Sequence, residues 1–313
     1  MQVIYGVDSR YVLPALVSAY SAHCHASHPL DITIFGDRLN DQDRGHIQRV
    51  RDACGGGGLA ISVRDFDPSA FSEYTTATRT GFPAASLVPL VLPRLVDGRC
   101  LFLDADTLVL GDVHELLSFD LGGLPLGACP DIGQTTLLDD RFLRVRMSDI
   151  FRPTYARRKR EAQFNRVLNL GFLPGEDYFN SGVLLMDCAA IRSDPSFESL
   201  SDIERLRPHF HFMPDQDRLN EAFRGRWAKL PLKWNVRPGV HADVGRRRRK
   251  FRYASTTFLA QMDEAAESPH LWHYMGGKKP WKKLWGYVQR RPAFRDYAPL
   301  LKEFEATTGL KVL

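Results

Sequence analysis

The chain has 313 residues, 44% hydrophobic and 25% charged, which is ordinary for a soluble globular protein with one large or two modest cores. Its apolar runs are shorter than the ~20 residues that a membrane-spanning helix needs. Five scattered cysteines and the lack of a secretory leader favour a cytoplasmic protein with reduced, mainly buried thiols.

Strands and helices alternate through the first third of the chain. Apolar runs bounded by turn residues predict strands at Gln2–Val7, Asp31–Phe35, Leu59–Arg64 and Leu101–Asp104. Helices are predicted at Tyr11–Ser27, Asp41–Cys54 and Ala84–Val96. Pro89 and Pro93 must kink or shorten the third helix. The alternation predicts one doubly wound, mainly parallel α/β sheet flanked by helices, with ligands at the carboxyl ends of its strands.

The second half of the chain continues the same pattern. Strands are predicted at Gly127–Cys129, Phe179–Met186 and Pro269–Tyr274, and a helix at Asp215–Phe223. Between the first two of these strands, residues 138–176 form a polar insert, which we interpret as a lid or acceptor-binding segment; surface helices explain it equally well. We predict a main domain over residues 1–281 and a basic, aromatic helical extension over 282–313.

The end of the chain is strongly basic. From residue 246 onward 15 Lys and Arg stand against 6 Asp and Glu, and Trp281, Trp285 and Tyr287 lie among them. Basic residues with interleaved aromatics suit peripheral contact with an anionic membrane surface, where each cation adds about 1 kcal/mol. The alternative is a solvated charged helix. A nucleic-acid partner is not expected, since no recognition motif accompanies the basic run.

Two carboxylates follow the fourth predicted strand. Asp104 and Asp106 flank the small residue Ala105 directly after the apolar run 101–103. Side chains two positions apart on a strand point to the same side, so the pair can chelate a hard divalent cation that holds a diphosphate. Because Asp-x-Asp is a common pattern, this interpretation needs support from other segments.

Polar residues at the ends of two other strands provide that support. Asp8, after the first strand, can accept hydrogen bonds from a base or ribose, although a helix N-cap explains it as well. Asn180 and Ser181 precede an apolar strand, where an amide suits sugar hydroxyls and Gly182 permits close backbone approach. A structural Asn-Gly-type turn is the alternative.

The last two segments add an amide, a histidine and a lysine. Asp215 and Asp217 suit a helix N-terminus, but that position gives no reason for Gln216, whose amide can stabilise an oxocarbenium-like transition state. His273 ends an apolar strand and is followed by two glycines and two lysines. This arrangement suits a metal ligand beside a phosphate cradle, whereas a lone histidine is more often a core residue.

Together these segments resemble glycosyltransferase family 8. The motifs that carry the resemblance are DADT (104–107), FNSGV (179–183), DQD (215–217) and HYMGGKKPW (273–281). The family contains retaining enzymes, among them bacterial lipooligosaccharide α-galactosyltransferases, related α-glucosyltransferases and glycogenin. The resemblance covers nearly the whole chain and implies a GT-A fold that binds a UDP-sugar with Mn²⁺; Mg²⁺ is the second candidate.

The resemblance also implies a role for each matching residue. The implied metal ligands are Asp104, Asp106 and His273. The implied nucleotide and diphosphate contacts are Val7, Asp8, Asp104, Ala105, Gly276 and Lys279. The implied donor-sugar and acceptor contacts are Asn180, Ser181, Asp131, Asp215 and Gln216, with Gln216 and Asp215 nearest to the chemistry. An arginine that the family has in the helix before Asp-x-Asp is missing here, where Ser86 begins the matching stretch; Arg79 and Arg94 are candidate substitutes.

The expected activity is transfer of a hexose from UDP-glucose or UDP-galactose to a saccharide or glycolipid acceptor, such as a lipopolysaccharide core. Retention requires either a covalent intermediate or same-face attack within an ion pair. The lack of an unambiguous carboxylate nucleophile favours the ion pair. The alternative function is a catalytically weak nucleotide-sugar or carbohydrate-binding protein of the same fold.

Overall fold

The structure is a computed structural model of the chain. It describes residues 2–71, 83–131, 177–206, 213–238, 255–277, 279–282 and 292–312. The polar insert predicted at 138–176 lies outside the described residues, as do Arg79, the basic run 246–250 and residues 283–291 of the predicted extension.

A seven-stranded mixed sheet is the centre of the fold, with the order β3-β2-β1-β4-β7-β6-β8. The first four of these strands are mutually parallel, β7 is antiparallel to both β4 and β6, and β8 is parallel to β6. The strands are β1 (Gln2–Asp8), β2 (Leu30–Asp37), β3 (Leu59–Asp65), β4 (Arg99–Leu103), β6 (Leu126–Pro130), β7 (Phe179–Asp187) and β8 (Ala228–Lys229). The predicted sheet, mainly parallel and flanked by helices, is confirmed.

A separate two-stranded ribbon lies beside the end of β4. It pairs β5 (Thr107–Val109) with β9 (Leu271–His273) in antiparallel register, Thr107 opposite His273. Through this pairing a segment near residue 273 is held next to one near residue 107.

Helices cover both faces of the sheet. The described helices are α1 (Val12–His25), α2 (Asp41–Cys54), α3 (Val88–Leu95), α4 (His114–Leu117), α5 (Cys188–Arg192), α6 (Phe197–Leu200), α7 (Ile203–Leu206), α8 (Pro214–Ala222), α9 (Thr256–Glu267) and α10 (Pro292–Thr308). Helix α2 has the predicted bounds, because Asn40 and Asp43 form a capping box at its start. The prolines shorten the third helix as predicted: a 3₁₀ turn (Ala84–Leu87) precedes the eight residues of α3.

The alternation of side chains along β1 divides the core between the two faces. Val3 and Tyr5 pack in the core that includes α1 and α2, whereas Ile4 packs in the core that includes α3 and α5. The last helix, α10, belongs to the first of these cores. Its Phe304 lies edge-on to Tyr20 of α1, with ring centroids 5.6 Å apart. The described part of the predicted extension therefore packs against the main sheet's helices.

The structure shows the state of the cysteines and the character of the described helices. All five cysteines are free, and all but Cys24 are buried, as expected. Among the described helices, none combines the length and the hydrophobicity needed to cross a bilayer.

Candidate active site

A cleft of about 550 Å³ opens at the carboxyl ends of β1 and β4. Because β7 runs antiparallel to β4, the start of β7 lies at the same edge, where the Asp104 N–H donates to the Gly182 carbonyl at 2.8 Å. Twelve of the thirteen predicted site residues line this cleft: Val7, Asp8, Asp104, Ala105, Asp106, Asn180, Ser181, Asp215, Gln216, His273, Gly276 and Lys279. The thirteenth, Asp131, contacts Gln216.

Asp104 and Asp106 lie in the turn between β4 and β5, so the prediction that a strand ends at Asp104 and sets the direction of both side chains is wrong. Strand β4 ends at Leu103. The turn is held by the Thr107 hydroxyl, which donates to the Asp104 carbonyl at 2.8 Å, and by the Tyr274 N–H, which donates to the Asp106 carbonyl at 2.8 Å. The two carboxylates still converge, because the turn and the β5–β9 pairing direct both toward one histidine.

His273 completes a three-residue cluster. Its Nε2 lies 3.3 Å from Asp104 Oδ2 and 3.2 Å from Asp106 Oδ1. Within the part of the chain that the structure describes, this is the one group of three metal-ligating side chains whose ligand atoms lie within 4.8 Å of one another. Two carboxylate oxygens and the borderline nitrogen of an imidazole form a donor set that suits a divalent metal ion.

Gly182 leaves the space that this cluster occupies. A Cβ atom at this position would lie 2.2 Å from His273 Cε1 and 2.7 Å from Asp104 Oδ2. The sequence predicts close backbone approach at Gly182 but assigns it to a sugar; the groups that approach are the candidate metal ligands.

The carboxylates of Asp104 and Asp106 face two basic side chains, His273 and Lys279. Burial alone would lower the pKa of His273, but Asp106 and Asp104 outweigh it and raise this pKa to about 9. Burial alone would raise the pKa of Asp106, yet His273 and Lys279 hold it below its ordinary value. Lys279 Nζ is paired with Asp106 and donates to the Tyr274 carbonyl at 2.8 Å. The cleft therefore carries its own cations beside the acidic pair.

Three buried side chains, those of Asn180, Gln216 and Asp131, form the floor of the cleft and are called the amide row below. Asn180 Nδ2 donates to Gln216 Oε1 at 2.9 Å, and Gln216 Nε2 donates to Asp131 Oδ2 at 2.8 Å. Gln216 Oε1 also accepts from the Ser181 N–H at 3.2 Å. These bonds hold the amide of Gln216 in one orientation.

Asp215 lies beside this row at the start of α8. Its pKa is raised to about 7, first by burial and second by the neighbouring Asp104 carboxylate, although the Ser181 hydroxyl partly offsets both. Asp217 is fully buried and accepts a hydrogen bond from the Tyr178 hydroxyl. The two acids of the DQD motif thus differ: Asp215 lies in the cleft and Asp217 anchors α8 to the start of β7.

Asp8 does not cap the N-terminus of α1, which was one of its two predicted roles. The N-cap of α1 is Tyr11, and no side chain caps the helix. Asp8 instead accepts from the Arg10 N–H at 3.0 Å and pairs with the Arg10 guanidinium at 2.7 Å. Both side chains lie at the mouth of the cleft.

The candidate substitutes for the missing arginine are placed differently. Ser86 lines the cleft, as the matching position should. Arg94 does not take over the missing role, because its guanidinium lies 4.4 Å from the centre of the Phe197 ring and pairs with Glu198 at 3.0 Å. Arg10, which the sequence did not suggest, lines the cleft.

The family model for glycosyl transferase family 8 matches residues 2–284. The chain belongs to glycosyl transferase family 8. Among its curated relatives, it is 24% identical over 290 residues to the lipopolysaccharide 1,2-glucosyltransferase of Escherichia coli K12, covering 90% of this chain and 73% of that protein. It is also 24% identical over 230 residues to general stress protein A of Bacillus subtilis 168, covering 72% of this chain and 68% of that one.

Solved structures of glycosyltransferases share the fold. The galactosyltransferase LgtC, solved with donor and acceptor sugar analogues, superimposes with a TM-score of 0.68 at 21% identity, over 99% of this chain and 95% of that one. The bifunctional glycosyltransferase WbbM also gives 0.68 at 22% identity, but this chain spans only about half of that protein's length (49%). These likenesses support the GT-A fold that the family 8 resemblance implied.

One buried residue of the site escaped the sequence altogether. Asn235 follows the 3₁₀ turn Leu232–Trp234 and bonds both His273 and Asn180. The signal that could have found it is a lone amide between two large apolar residues, Trp234 and Val236, where a buried polar group needs partners.

Proposed function

We propose that the chain is a metal-dependent, retaining hexosyltransferase. It transfers glucose or galactose from the UDP-sugar to a hydroxyl of a saccharide or lipid-linked acceptor and forms an α-glycosidic bond. The observation that supports this most is the convergence of the Asp104, Asp106 and His273 ligand atoms in the same cleft as Lys279 and Gln216.

The cluster would hold Mn²⁺, or Mg²⁺ as the second candidate, through Asp104, Asp106 and His273. When bound, the metal supplies Lewis-acid stabilisation of the charge that develops on the leaving diphosphate. Mn²⁺ is favoured because Mg²⁺ prefers an all-oxygen shell.

The nucleotide would lie along the mouth of the cleft. Val7 and Asp8 are proposed to contact the uridine, Ala105 the nucleotide, and Gly276 and Lys279 the diphosphate. Gly276 has φ +85°, a backbone conformation that suits glycine in a turn at a phosphate. Lys279 lines the cleft with Gly276, and its ammonium lies 5.8 Å from the centre of the Tyr11 ring and 5.7 Å from that of Trp281.

The donor sugar would lie over the amide row, near Asn180, Ser181 and Gln216, with Asp131 and Asp215 toward the acceptor. Both oxygen lone pairs of Gln216 already accept hydrogen bonds, so its amide acts through its dipole rather than as a nucleophile. Burial raises the pKa of Asp215, which disfavours the anionic form that a carboxylate nucleophile needs. Both points favour same-face attack within an ion pair, in which the leaving phosphate oxygen accepts the proton of the acceptor hydroxyl.

A panel of UDP-sugars tests the function. We expect Mn²⁺-dependent release of UDP from UDP-glucose or UDP-galactose, suppressed in Asp106→Asn, which removes one ligand charge. Binding of a UDP-sugar without any turnover would instead support the nucleotide-sugar-binding alternative. No saturable binding of any UDP-sugar would contradict both functions.

The acceptor and the location of the enzyme are proposed from the sequence. A glycolipid acceptor would suit a protein that contacts the cytoplasmic face of an anionic membrane through its basic end. Among the basic residues of that end that the structure describes, Lys279 and Lys282 line the cleft.

Arg10 is expected to provide part of the donor affinity. Arg10→Gln should raise the KM for the UDP-sugar roughly three- to tenfold with a smaller effect on kcat, since the diphosphate is already anionic in the ground state and water screens an exposed cation from the charge that develops later. Steady-state kinetics at two salt concentrations measure this, with Arg94→Gln as the matched control. A larger KM effect from Arg94→Gln than from Arg10→Gln would contradict the assignment.

Metal affinity is expected to rise with pH. Metal binds neutral imidazole, and the pKa of His273 in the metal-free protein is about 9, so a proton must leave when metal enters at pH 7. Mn²⁺ affinity should therefore increase by up to about tenfold per pH unit below pH 9. Electron paramagnetic resonance of free Mn²⁺ between pH 6.5 and 8.5 measures the slope. His114→Gln, outside the cleft, should keep that slope; a flat profile in the unmodified protein would contradict His273 as a ligand.

A further inference from the structure

Asn235 joins the candidate metal cluster to the amide row. It is 4% exposed, and its position beside β9 is fixed because Val236 pairs with Trp272. Its Oδ1 lies 3.0 Å from His273 Nδ1, and its Nδ2 donates to Asn180 Oδ1 at 2.8 Å. The side chain therefore has one partner in each half of the site.

Two backbone donors fix the direction of these hydrogen bonds. The Gly182 N–H donates to Asn180 Oδ1 at 3.0 Å, and the Ser181 N–H donates to Gln216 Oε1 at 3.2 Å. A backbone N–H can only donate, so the oxygens of Asn180 and Gln216 are identified without relying on the amide assignment. The atom of Asn235 that faces Asn180 Oδ1 must then be its NH₂ group.

The same reasoning sets the tautomer of His273. With its NH₂ directed to Asn180, Asn235 presents an oxygen to His273 Nδ1, which must carry a proton. In the neutral ring the lone pair is then on Nε2, the atom that faces Asp104 and Asp106 at 3.3 and 3.2 Å. A ring of the other tautomer would direct an N–H at a bound cation.

We infer that Asn235 is a positioning residue for both halves of the site. It holds His273 in the tautomer that binds metal, and it connects the metal cluster to Asn180 and Gln216, whose row ends on the Asp131 carboxylate. Every bond in this series donates in the same direction, so reversing one amide would place like atoms against each other. The inference rests on the proposed function, because it assigns Asn235 a role toward the metal and the donor sugar.

Two substitutions separate the two roles. Asn235→Ala removes both partners and should lower Mn²⁺ affinity by about 10- to 100-fold, the usual effect of losing the group that orients a ligating histidine. Asn235→Asp keeps an oxygen for the His273 Nδ1–H but places a second oxygen against Asn180 Oδ1, which already accepts from Gly182. It should bind Mn²⁺ at least as well as the unmodified protein while kcat falls. Unchanged Mn²⁺ affinity in Asn235→Ala, or equal losses in both variants, would overturn the inference.

A readout without metal keeps this test separate from the proposed function. Nuclear magnetic resonance of ¹⁵N-histidine-labelled, metal-free protein, recorded above the pKa of His273 so that the ring is neutral, should show a ring Nδ1–H signal and an unprotonated Nε2, a pattern retained in Asn235→Asp and lost in Asn235→Ala. If that signal behaves as expected but the unmodified protein binds no Mn²⁺, the proposed metal fails and the tautomer assignment stands. A signal that persists in Asn235→Ala overturns the inference.

Asn40→Ala is the matched control for stability. It also removes a hydrogen-bonded asparagine, here the N-cap of α2, and should lower the melting temperature without changing Mn²⁺ affinity or the ring N–H signal. A loss of Mn²⁺ affinity in this control equal to that in Asn235→Ala would mean that stability alone sets metal binding, against the inference.

Discussion

Gly182→Ala is expected to abolish detectable Mn²⁺ binding and transferase activity. The added methyl group would lie 2.2 Å from His273 Cε1 and 2.7 Å from Asp104 Oδ2, distances that no side chain tolerates. The backbone of β7 cannot retreat, since the Gly182 carbonyl accepts from the Asp104 N–H at 2.8 Å and Val183 is in register with Leu103. His273 and Asp104 must therefore separate, and a metal would lose two of its three protein ligands.

Two other glycines serve as controls for this substitution. Gly45 lies in α2 with open space around it, so Gly45→Ala should leave Mn²⁺ affinity unchanged and increase stability by up to about 1 kcal/mol. At Gly127 in β6 a methyl group would lie 2.9 Å from Leu121, so Gly127→Ala should lower stability through overpacking away from the cleft. Calorimetric titration with Mn²⁺ and thermal melting compare the three; Mn²⁺ affinity preserved in Gly182→Ala would refute the proposed ligand cluster.

Gln216→Ala is expected to lower kcat by about 10²-fold, the scale of removing one preorganised dipole from an active site, with a small change in the KM for the UDP-sugar. The substitution removes the amide from the floor of the cleft and leaves the Asp131 carboxylate without that donor. Because the metal cluster does not include Gln216, Mn²⁺ affinity should stay within threefold, roughly 0.7 kcal/mol.

The measurement is single-turnover transfer with saturating UDP-sugar and Mn²⁺. Gln48→Ala is the matched control, since Gln48 is an exposed glutamine of α2 that bonds Asp52 of its own helix. Full kcat in Gln216→Ala would exclude a role for the amide in the transition state and reopen the choice of nucleophile.

The sequence predicted the sheet and the members of the cleft better than it predicted their geometry. Strand and helix positions follow from local periodicity and turn residues, so most element bounds differ by only one or two residues. The directions of β6 and β7 were not predicted, because antiparallel pairing depends on contacts far apart in sequence. That pairing is what places Gly182 beside Asp104 at the end of β4.

Errors in the predicted site have the same origin. The Asp104–Asp106 convergence was predicted from strand alternation, but a turn held by Thr107 and Tyr274 produces it. Asn235 was missed because its partners, His273 and Asn180, are 38 and 55 residues away. Arg10 was missed because the sequence does not show that the segment after β1 reaches the same cleft as Ser86, the position that matches the missing arginine.

The pairing of β5 with β9 determines when the site can form during synthesis. Asp106 and Lys279, which are in contact, are 173 residues apart in sequence, and His273 reaches the cluster only through β9. During translation the β1–β3 part of the sheet can fold first, while the candidate metal cluster must wait until residue 273 has left the ribosome. A nascent chain would therefore carry a sheet without a catalytic centre, and Mn²⁺ binding would report that folding has reached its final stage.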